Sequence, residues 1–146
     1  MGDKLEYKIS YGKSDFKDAK LIRQLVFEEE QGFKNEFDEI DEIAYHLVIY
    51  RDKKAIATGR MFIENNSAIL GRIAVIKEFR HQGFGKKIIE CLENKVKDMG
   101  YQLIYLSAQL QAQGFYEKQG YIIQGDSYYD EWCLHIKMKK EFVYEK

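Results

Sequence analysis

The residues best suited to chemistry lie between positions 72 and 92. This stretch runs from a continuously apolar segment, through a turn with two glycines, Gly83 and Gly85, into an amphipathic segment. A helix that begins here leaves the amides of its first turn unpaired, and its dipole adds partial positive charge. The glycines let the backbone approach a phosphate closely, and Arg80 and Lys86 add positive charge beside it. The sequence therefore predicts a phosphate-binding site at the head of this helix.

Two common phosphate-binding motifs do not fit this turn. A Walker A loop requires glycine at position 80 and Ser or Thr at position 87, where the chain has Arg80 and Lys87. A Rossmann fingerprint requires a small residue at position 88, where Ile88 stands, and it usually follows the first strand of its domain. A nucleotide-binding domain of another kind remains an alternative.

Hydrophobic periodicity predicts the elements that must hold this turn. Alternating or continuously apolar runs predict strands over residues 4–9, 46–50, 55–63, 67–76, 103–108, 121–124 and 134–139. Apolar residues at helical spacing predict helices over 15–30, 83–99 and 109–119, and a polar, aromatic loop precedes the last strand. Early hairpins and later strand–helix–strand units predict an α/β fold of the mixed-sheet, α+β kind. Its central sheet has about six or seven strands, flanked by about four helices.

An acidic segment, residues 28–42, interrupts this pattern and is predicted to be a loop with one helical turn at most. Its carboxylates are either solvated surface charge or a wall of a substrate cleft, because loops on rigid scaffolds often carry specificity. Asp38 and Asp41 are the candidates for the second role. His46 is expected to order the segment through a hydrogen bond.

Length and composition predict one domain over residues 1–146. Of the 146 residues, 45% are hydrophobic and 32% are charged, which suits a packed core. No apolar run approaches the ~20 residues that cross a bilayer, and the start lacks the apolar stretch of a secretory signal. The net charge of −1 gives no general attraction to nucleic acid or anionic lipid. Two distant cysteines form neither a disulfide framework nor a zinc site, so a reduced, cytoplasmic protein is expected.

The glycine turn resembles the acetyl-CoA motif of the GNAT superfamily of N-acetyltransferases, Gln/Arg-x-x-Gly-x-Gly/Ala, because Arg80, Gly83 and Gly85 match its defined positions. Residues 108–121, AQLQAQGFYEKQGY, resemble the second family signature, and the two signatures occur in the expected order. Gln109 stands where many members have Asn. Further segments, such as VFEEEQ, LSAQ and YDEWCLHIKM, are similar to the ElaA-like subgroup over nearly the whole chain.

The resemblance implies acetyl-CoA as co-substrate and no metal. The pantetheine arm would lie along the backbone of Ile73, Ala74 and Val75, with contributions from Gln109 and Tyr116. The pyrophosphate would lie on backbone amides beside Arg80, contributed by His81, Gln82, Gly83, Phe84, Gly85 and Lys86.

Acyl transfer from a thioester to an amine needs a neutral amine, a donor for the developing oxyanion and a route for the thiolate to leave. The N–H of Val75 is the oxyanion candidate, and Tyr116 is the candidate acid for the thiolate. His135 is the candidate base, because imidazole titrates near neutral pH. Glu131 and Glu30 are alternatives for this role, or they bind a cationic substrate.

The predicted function is an acyl-CoA N-acyltransferase that acetylates the primary amine of a small molecule by direct attack on the thioester. Two alternatives stay open: a protein or peptide N-acetyltransferase, and a non-catalytic acyl-CoA sensor. No nucleic-acid or membrane partner is expected. The aromatic loop with Tyr128, Tyr129 and Trp132 either covers the acceptor cleft or packs in a homodimer.

Overall fold

An open mixed sheet of eight strands organises the chain. The computed structural model describes residues 4–34 and 36–143. Within them the strands lie in the order β1–β2–β3–β4–β5–β8–β6, and β7 pairs with β8. Their bounds are Leu5–Tyr11 (β1), Tyr45–Arg51 (β2), Lys54–Glu64 (β3), Ser67–Val75 (β4), Leu103–Gln109 (β5), Ile122–Ile123 (β6), Tyr128–Asp130 (β7) and Cys133–Glu141 (β8). The mixed-sheet fold predicted from the sequence is confirmed, but part of the predicted aromatic loop is strand β7.

The described residues form three α-helices where about four were predicted. They are α1 (Lys17–Arg23), α2 (Phe84–Asp98) and α3 (Gln113–Lys118), and a short 3-10 turn, Leu110–Ala112, precedes α3. The predicted helix over 15–30 is helical to its end but changes type, because Gln24–Glu30 is a π-helix. The acidic segment adds a second 3-10 turn, Glu39–Glu42. No helix in the described part of the chain is long and apolar enough to cross a membrane.

Helix α2 packs its apolar stripe on the sheet. Ile88, Leu92 and Val96 recur at helical spacing and are fully buried. Gly59 on β3 lies directly beneath them: a Cβ placed there would be 2.6 Å from Cγ2 of Ile88 and 3.0 Å from Cδ1 of Leu92. The helix that carries the predicted phosphate site is therefore held against the sheet by a contact that only glycine permits.

Strands β4 and β5 pair in parallel over only three residues. Their register runs from Ala68↔Ile104 to Leu70↔Leu106. Beyond these residues β4 continues to Val75 and β5 continues to Gln109, but the two strands no longer pair with each other. The β3–β4 register shifts at the same level, where Arg60 pairs with Gly71 and Thr58 pairs with Ala74, so β4 carries one extra residue. This β-bulge bends β4 and leaves a V-shaped opening between the strands.

A buried ion network ties the acidic segment to the sheet. Arg23 of α1 donates to Asp41 at 2.8 and 3.2 Å and to Glu36 at 2.7 Å. Arg60 of β3 donates from Nη1 to Asp38 and Asp41, each at 2.8 Å. Asp41 has no exposed surface and Glu36 is 5% exposed. The prediction that these carboxylates are either solvated charge or part of a cleft wall is therefore wrong for Asp41.

The segment is held on the strand side as well. Nε2 of His46 lies 2.9 Å from the carbonyl of Asp41, which confirms the expected ordering hydrogen bond. Nη2 of Arg72 donates to Asp38 at 3.3 Å, and its Nε donates to the Glu36 carbonyl at 3.1 Å. Three arginines and three carboxylates thus balance in charge, which is what makes their burial tolerable.

We expect Gly59→Ala to lower the free energy of unfolding by about 1–3 kcal/mol, because the added methyl must displace Ile88 and Leu92. Urea denaturation measures this change. Gly71→Ala is the matched control, since a Cβ there meets nothing within 4 Å, and it should change stability by less than about 0.5 kcal/mol. Equal stability of the two variants would contradict the close helix–sheet contact.

We expect Asp41→Asn to cost about 3–5 kcal/mol at neutral pH, because it leaves buried arginines short of a charged partner. Burial alone would raise the pKa of Asp41, but the hydrogen bonds from Arg23 and Arg60 outweigh it and hold this pKa below its ordinary value. A depressed carboxylate pKa contributes stability at neutral pH that is lost as the pH falls through the folded-state pKa. The gap between wild type and variant should therefore narrow on acidification.

Denaturation curves from neutral to acidic pH test this. Burial raises the pKa of Glu36, an effect of opposite sign, but it is common to both proteins and cancels in their difference. Glu39→Gln, at an exposed acid of the same 3-10 turn, is the control and should change little. A wild-type-to-Asp41→Asn gap that stays constant with pH would show that Asp41 does not carry the charge assigned to it.

Candidate active site

A cavity of about 480 Å³ opens where β4 and β5 separate. Its wall brings together residues from the π-helix, β3, β4, β5, α3 and the β7–β8 turn. The residues predicted from the sequence that line it are Ile73, Arg80, Gln109, Tyr116, Glu131 and His135. Residues far apart in the chain thus meet where β4 and β5 no longer pair with each other.

Val75 directs its N–H and C=O toward this opening. The N–H of Ile76 donates to the carbonyl of Ile56 on β3, 3.0 Å away. Successive residues of a strand point their polar backbone groups to opposite edges, so those of Val75 face away from β3. The Val75 carbonyl accordingly accepts a hydrogen bond from Nε of Arg80 at 2.9 Å.

Ala74 is oriented differently from its neighbours. It pairs with Thr58 on β3, so its polar backbone groups face β3 and not the opening. The expectation that its backbone would contact a pantetheine arm fails for this reason. Ile73, which lines the cavity, and Val75 remain as the backbone edge of β4 available to a ligand.

The head of α2 is open. Gly83 is its N-cap with a φ of 85°, and no side chain among the described residues caps it. A Cβ at Gly83 would meet no atom within 4 Å, whereas one at Gly85 would lie 3.2 Å from the Phe115 ring. The first glycine therefore supplies a left-handed conformation, and the second lets α2 pack against α3. His81 is exposed with a φ of 63°, and Lys86 lies 3.9 Å from Glu90 on the exposed face of α2.

Arg80 does not point freely toward the helix head. Its Nη1 and Nη2 donate to the two carboxylate oxygens of Glu30, at 2.5 and 2.6 Å. These hydrogen bonds lower the pKa of Glu30 and raise that of Arg80, so the pair is fully charged at neutral pH. The end of the π-helix is in this way linked to the turn that follows β4.

The same helix end is linked to β5. Nε2 of Gln109 donates to Oε1 of Gln31 at 2.8 Å, and Oε1 of Gln109 accepts from Gln111 at 2.6 Å. Glu30 and Gln31 therefore contact both sides of the opening. π-Helical turns are frequent at functional sites, and this one places two consecutive polar side chains across the cleft.

Tyr116 is 9% exposed and lies on the cavity wall. Burial raises its pKa well above the ordinary value for tyrosine. The hydroxyl is therefore protonated at every physiological pH and is available as a donor. Its ring packs edge-on against Phe115 and Tyr121, which holds it in place.

His135 is buried on β8 and stacks against Tyr128 at 6.1 Å between ring centroids. Its Nδ1 lies 3.0 Å from the Cys133 carbonyl. A carbonyl only accepts hydrogen bonds, so Nδ1 carries the proton and a neutral ring has its lone pair on Nε2. That tautomer is the one a general base requires.

Glu131 lies beside the cavity but is engaged by the backbone. Its two carboxylate oxygens accept hydrogen bonds from the N–H of Lys34 at 2.9 and 3.1 Å. Trp132 packs on Phe33 at 5.4 Å between centroids and remains 56% exposed. The β7–β8 turn thereby closes over the segment that follows the π-helix.

Among the wall residues that sequence reasoning missed are Glu36, Arg60 and Arg72. A signal existed for Arg60, since it interrupts the apolar run of β3 and a charge in a central strand needs a partner. Arg72 interrupts the apolar run of β4 in the same way. Cys133 is buried, and burial raises its pKa, so it is not an activated thiol. The described residues contain no group of three or more His, Cys, Asp or Glu side chains placed to hold a metal ion.

Comparison with known proteins identifies the family. A model of the acetyltransferase (GNAT) domain matches residues 14–142. YjcF of Bacillus subtilis, described as an uncharacterized N-acetyltransferase, is 33% identical and aligns over 91% of this chain and 97% of its own length. ElaA of Escherichia coli has the same fold, with a TM-score of 0.84 at 21% identity over 94% of this chain and 100% of ElaA.

A Bacillus subtilis acetyltransferase solved in complex with CoA also has this fold, with a TM-score of 0.74 at 16% identity over 96% of this chain and 100% of that one. The unpaired edge of β4, the open head of α2 and the family match agree with one another. The chain belongs to the GNAT family of acetyltransferases and is an acyl-CoA N-acyltransferase.

Proposed function

We propose that the protein transfers an acetyl group from acetyl-CoA to the primary amine of a small molecule. The observation that carries this proposal is the opening between β4 and β5, where Val75 turns its backbone groups away from β3 and where Tyr116 and His135 line the cavity. The pantetheine arm lies along Ile73 and Val75, and the pyrophosphate lies on the amides at the head of α2. Gln109 and Tyr116 contact the arm from the opposite side of the cleft.

The amine attacks the thioester directly, and three groups of the protein assist this attack. His135 accepts the proton of the amine at Nε2, directly or through water. The N–H of Val75 donates to the carbonyl oxygen as negative charge develops there. Tyr116 donates a hydrogen bond, and then its proton, to the departing sulfur; its raised pKa means that the hydroxyl is protonated when the thiolate forms.

The size and closure of the cavity favour a small acceptor over a protein. The volume is about 480 Å³, and the pantetheine arm takes part of it. The hydrogen bonds from the Lys34 amide to Glu131 hold the β7–β8 turn against the segment that follows the π-helix, beside the cavity. On this proposal a peptide acceptor would have to displace that contact.

The direct test is to incubate the protein with acetyl-CoA and a panel of primary amines and peptides, and to follow release of free CoA. Turnover on small amines, with little on peptides, is the expected result. Tight CoA binding without turnover of any acceptor would contradict the proposal. Preferred turnover of peptides would instead support the alternative that the protein is a protein or peptide N-acetyltransferase.

We expect Tyr116→Phe to lower kcat by about 10²-fold or more, because the leaving sulfur loses its proton donor, while CoA affinity changes little. Tyr121→Phe is the matched control. Tyr121 is also buried, but its hydroxyl donates to Glu93 at 2.8 Å, away from the cavity. Removing that bond should cost stability of about 1 kcal/mol and leave kcat unchanged. An unchanged kcat in Tyr116→Phe would remove tyrosine from the mechanism.

We expect Glu30→Gln to tighten CoA binding by up to about fivefold, since an exposed pair holds Arg80 with about 1 kcal/mol or less. The variant frees Arg80 to turn toward the pyrophosphate. Titration calorimetry with CoA measures the change. Glu78→Gln changes the same charge close to the same turn without contacting Arg80 and serves as control, because Glu78 pairs with Lys54. Weaker binding in Glu30→Gln alone would show that Glu30 holds Arg80 in its binding position.

A further inference from the structure

The cavity wall formed by Arg60, Arg72 and Glu36 has more hydrogen-bond donors than acceptors. The carboxylates of the network are all engaged: Asp41 by Arg23 and Arg60, Asp38 by Arg60 and Arg72, and Glu36 by Arg23. Each guanidinium carries five N–H donors. Donors are therefore left over on the side that faces the cavity.

Arg72 supplies the accessible part of this surplus. Its Nε and Nη2 are fixed by Glu36 and Asp38, and within the described residues its Nη1 has no hydrogen-bond partner. The side chain is 26% exposed and lines the cavity. Two fixed nitrogens hold the plane of the guanidinium, so the third presents its donors in one direction.

Arg60 supplies the buried part. Its Nε has no partner in the described structure, although the residue is only 4% exposed. A buried N–H without a partner costs about 1–3 kcal/mol. The unpaired N–H adds to the excess of donors behind this wall, and Arg72 is the member of the pair that a ligand can reach.

The backbone at Arg72 supports a role beyond packing. Its φ is 52°, in the left-handed region that is uncommon outside glycine, and it lies at the bulge that parts β4 from β5. Such strain costs on the order of 1–3 kcal/mol and clusters at ligand sites. The conformation turns Arg72 toward the cavity and toward the acidic segment together.

We infer that the acceptor amine also carries a carboxylate, and that Nη1 of Arg72 binds it. This inference rests on the proposed small-molecule acetyltransferase function. A carboxylate accepts charge-assisted hydrogen bonds, which are about twice as strong as those of a neutral carbonyl. Asp130 and Glu131 also line the cavity, so the lining carries charges of both signs, as an amino acid does.

The test uses three series of primary amines of equal chain length that end in a carboxylate, an amide or a methyl group. Wild-type kcat/KM should be at least about tenfold higher for the carboxylates than for the amides and alkylamines, with the difference mainly in KM. Arg72→Gln should remove this preference, with the change mainly in KM for the carboxylates. Arg72→Lys keeps the positive charge but lacks the fixed Nη1, and it should show part of the preference for carboxylates. Equal use of the three series by wild type would overturn the inference and leave the proposed function intact.

A second readout does not need turnover. Titration with 4-acetamidobutanoate, in the presence of CoA, should show binding to wild type that is at least about tenfold weaker in Arg72→Gln. Unchanged CoA affinity and thermal unfolding in that variant exclude misfolding as the cause. Binding of the carboxylate without turnover of any amine would contradict the proposed reaction but support the carboxylate site. Binding that is equal in wild type and Arg72→Gln would sink the carboxylate site.

Discussion

The parting of β4 from β5 is the constraint on which the site depends. A sheet strand that loses its neighbour exposes N–H and C=O groups that must find other partners. Here the loss begins after Leu70 and Leu106, and the exposed groups of Val75 lie beside a tyrosine and a histidine brought from elements much later in the chain. A ligand with amide groups of its own can complete the sheet edge, which explains why the cavity forms at a topological fault and not over a continuous surface.

The separation of β4 from β5 is maintained by electrostatic interactions as well as by packing. Arg72 sits at the bulge in a strained conformation, and Glu36 and Asp38 fix its guanidinium from the acidic segment. Arg23 and Arg60 hold that segment in turn. The shape of the cavity is therefore coupled to a group of charges that is largely buried, with Arg72 and Asp38 as its partly exposed members. Buried charges of this kind add little net stability but disfavour alternative arrangements of the loop.

Much of this could be predicted from the sequence, for identifiable reasons. The helix from Phe84 to Asp98 has a strong 3.6-residue stripe, and the glycine turn before it constrains the backbone locally, so both were predicted to within a residue or two. The family signature pointed to Tyr116 and the chemistry of imidazole pointed to His135, and both line the cavity. Local patterns could not show that Ala74 faces β3, because that depends on strand register, nor that Asp41 is buried, because its partners lie on α1 and β3.

The remaining differences between the predicted and the observed elements arise where long-range contacts, which a local pattern does not contain, decide the structure. Residues 24–30 keep a helical hydrophobic pattern, which is why a single helix was predicted, but tertiary contacts select the wider π geometry. Tyr128–Asp130 is too short and polar to be recognised as a strand, and it forms one only because β8 offers a free edge. Arg72 lies in an otherwise ordinary strand sequence, and its conformation is set by pairing partners distant in the chain.

The π-helix has a consequence for how this cleft can vary among related chains. Each residue of an α-helix turns the chain by about 100°, so a helix that holds one residue too many is the natural product of a single insertion. Deleting one residue from the stretch that ends at Glu30 would return the segment to α-helical spacing. Glu30 and Gln31 would then rotate away from the entrance of the cleft. A single deletion would therefore break the hydrogen bonds of Glu30 to Arg80 and of Gln31 to Gln109. A difference of one codon in length can thus decide whether this entrance is bridged or open.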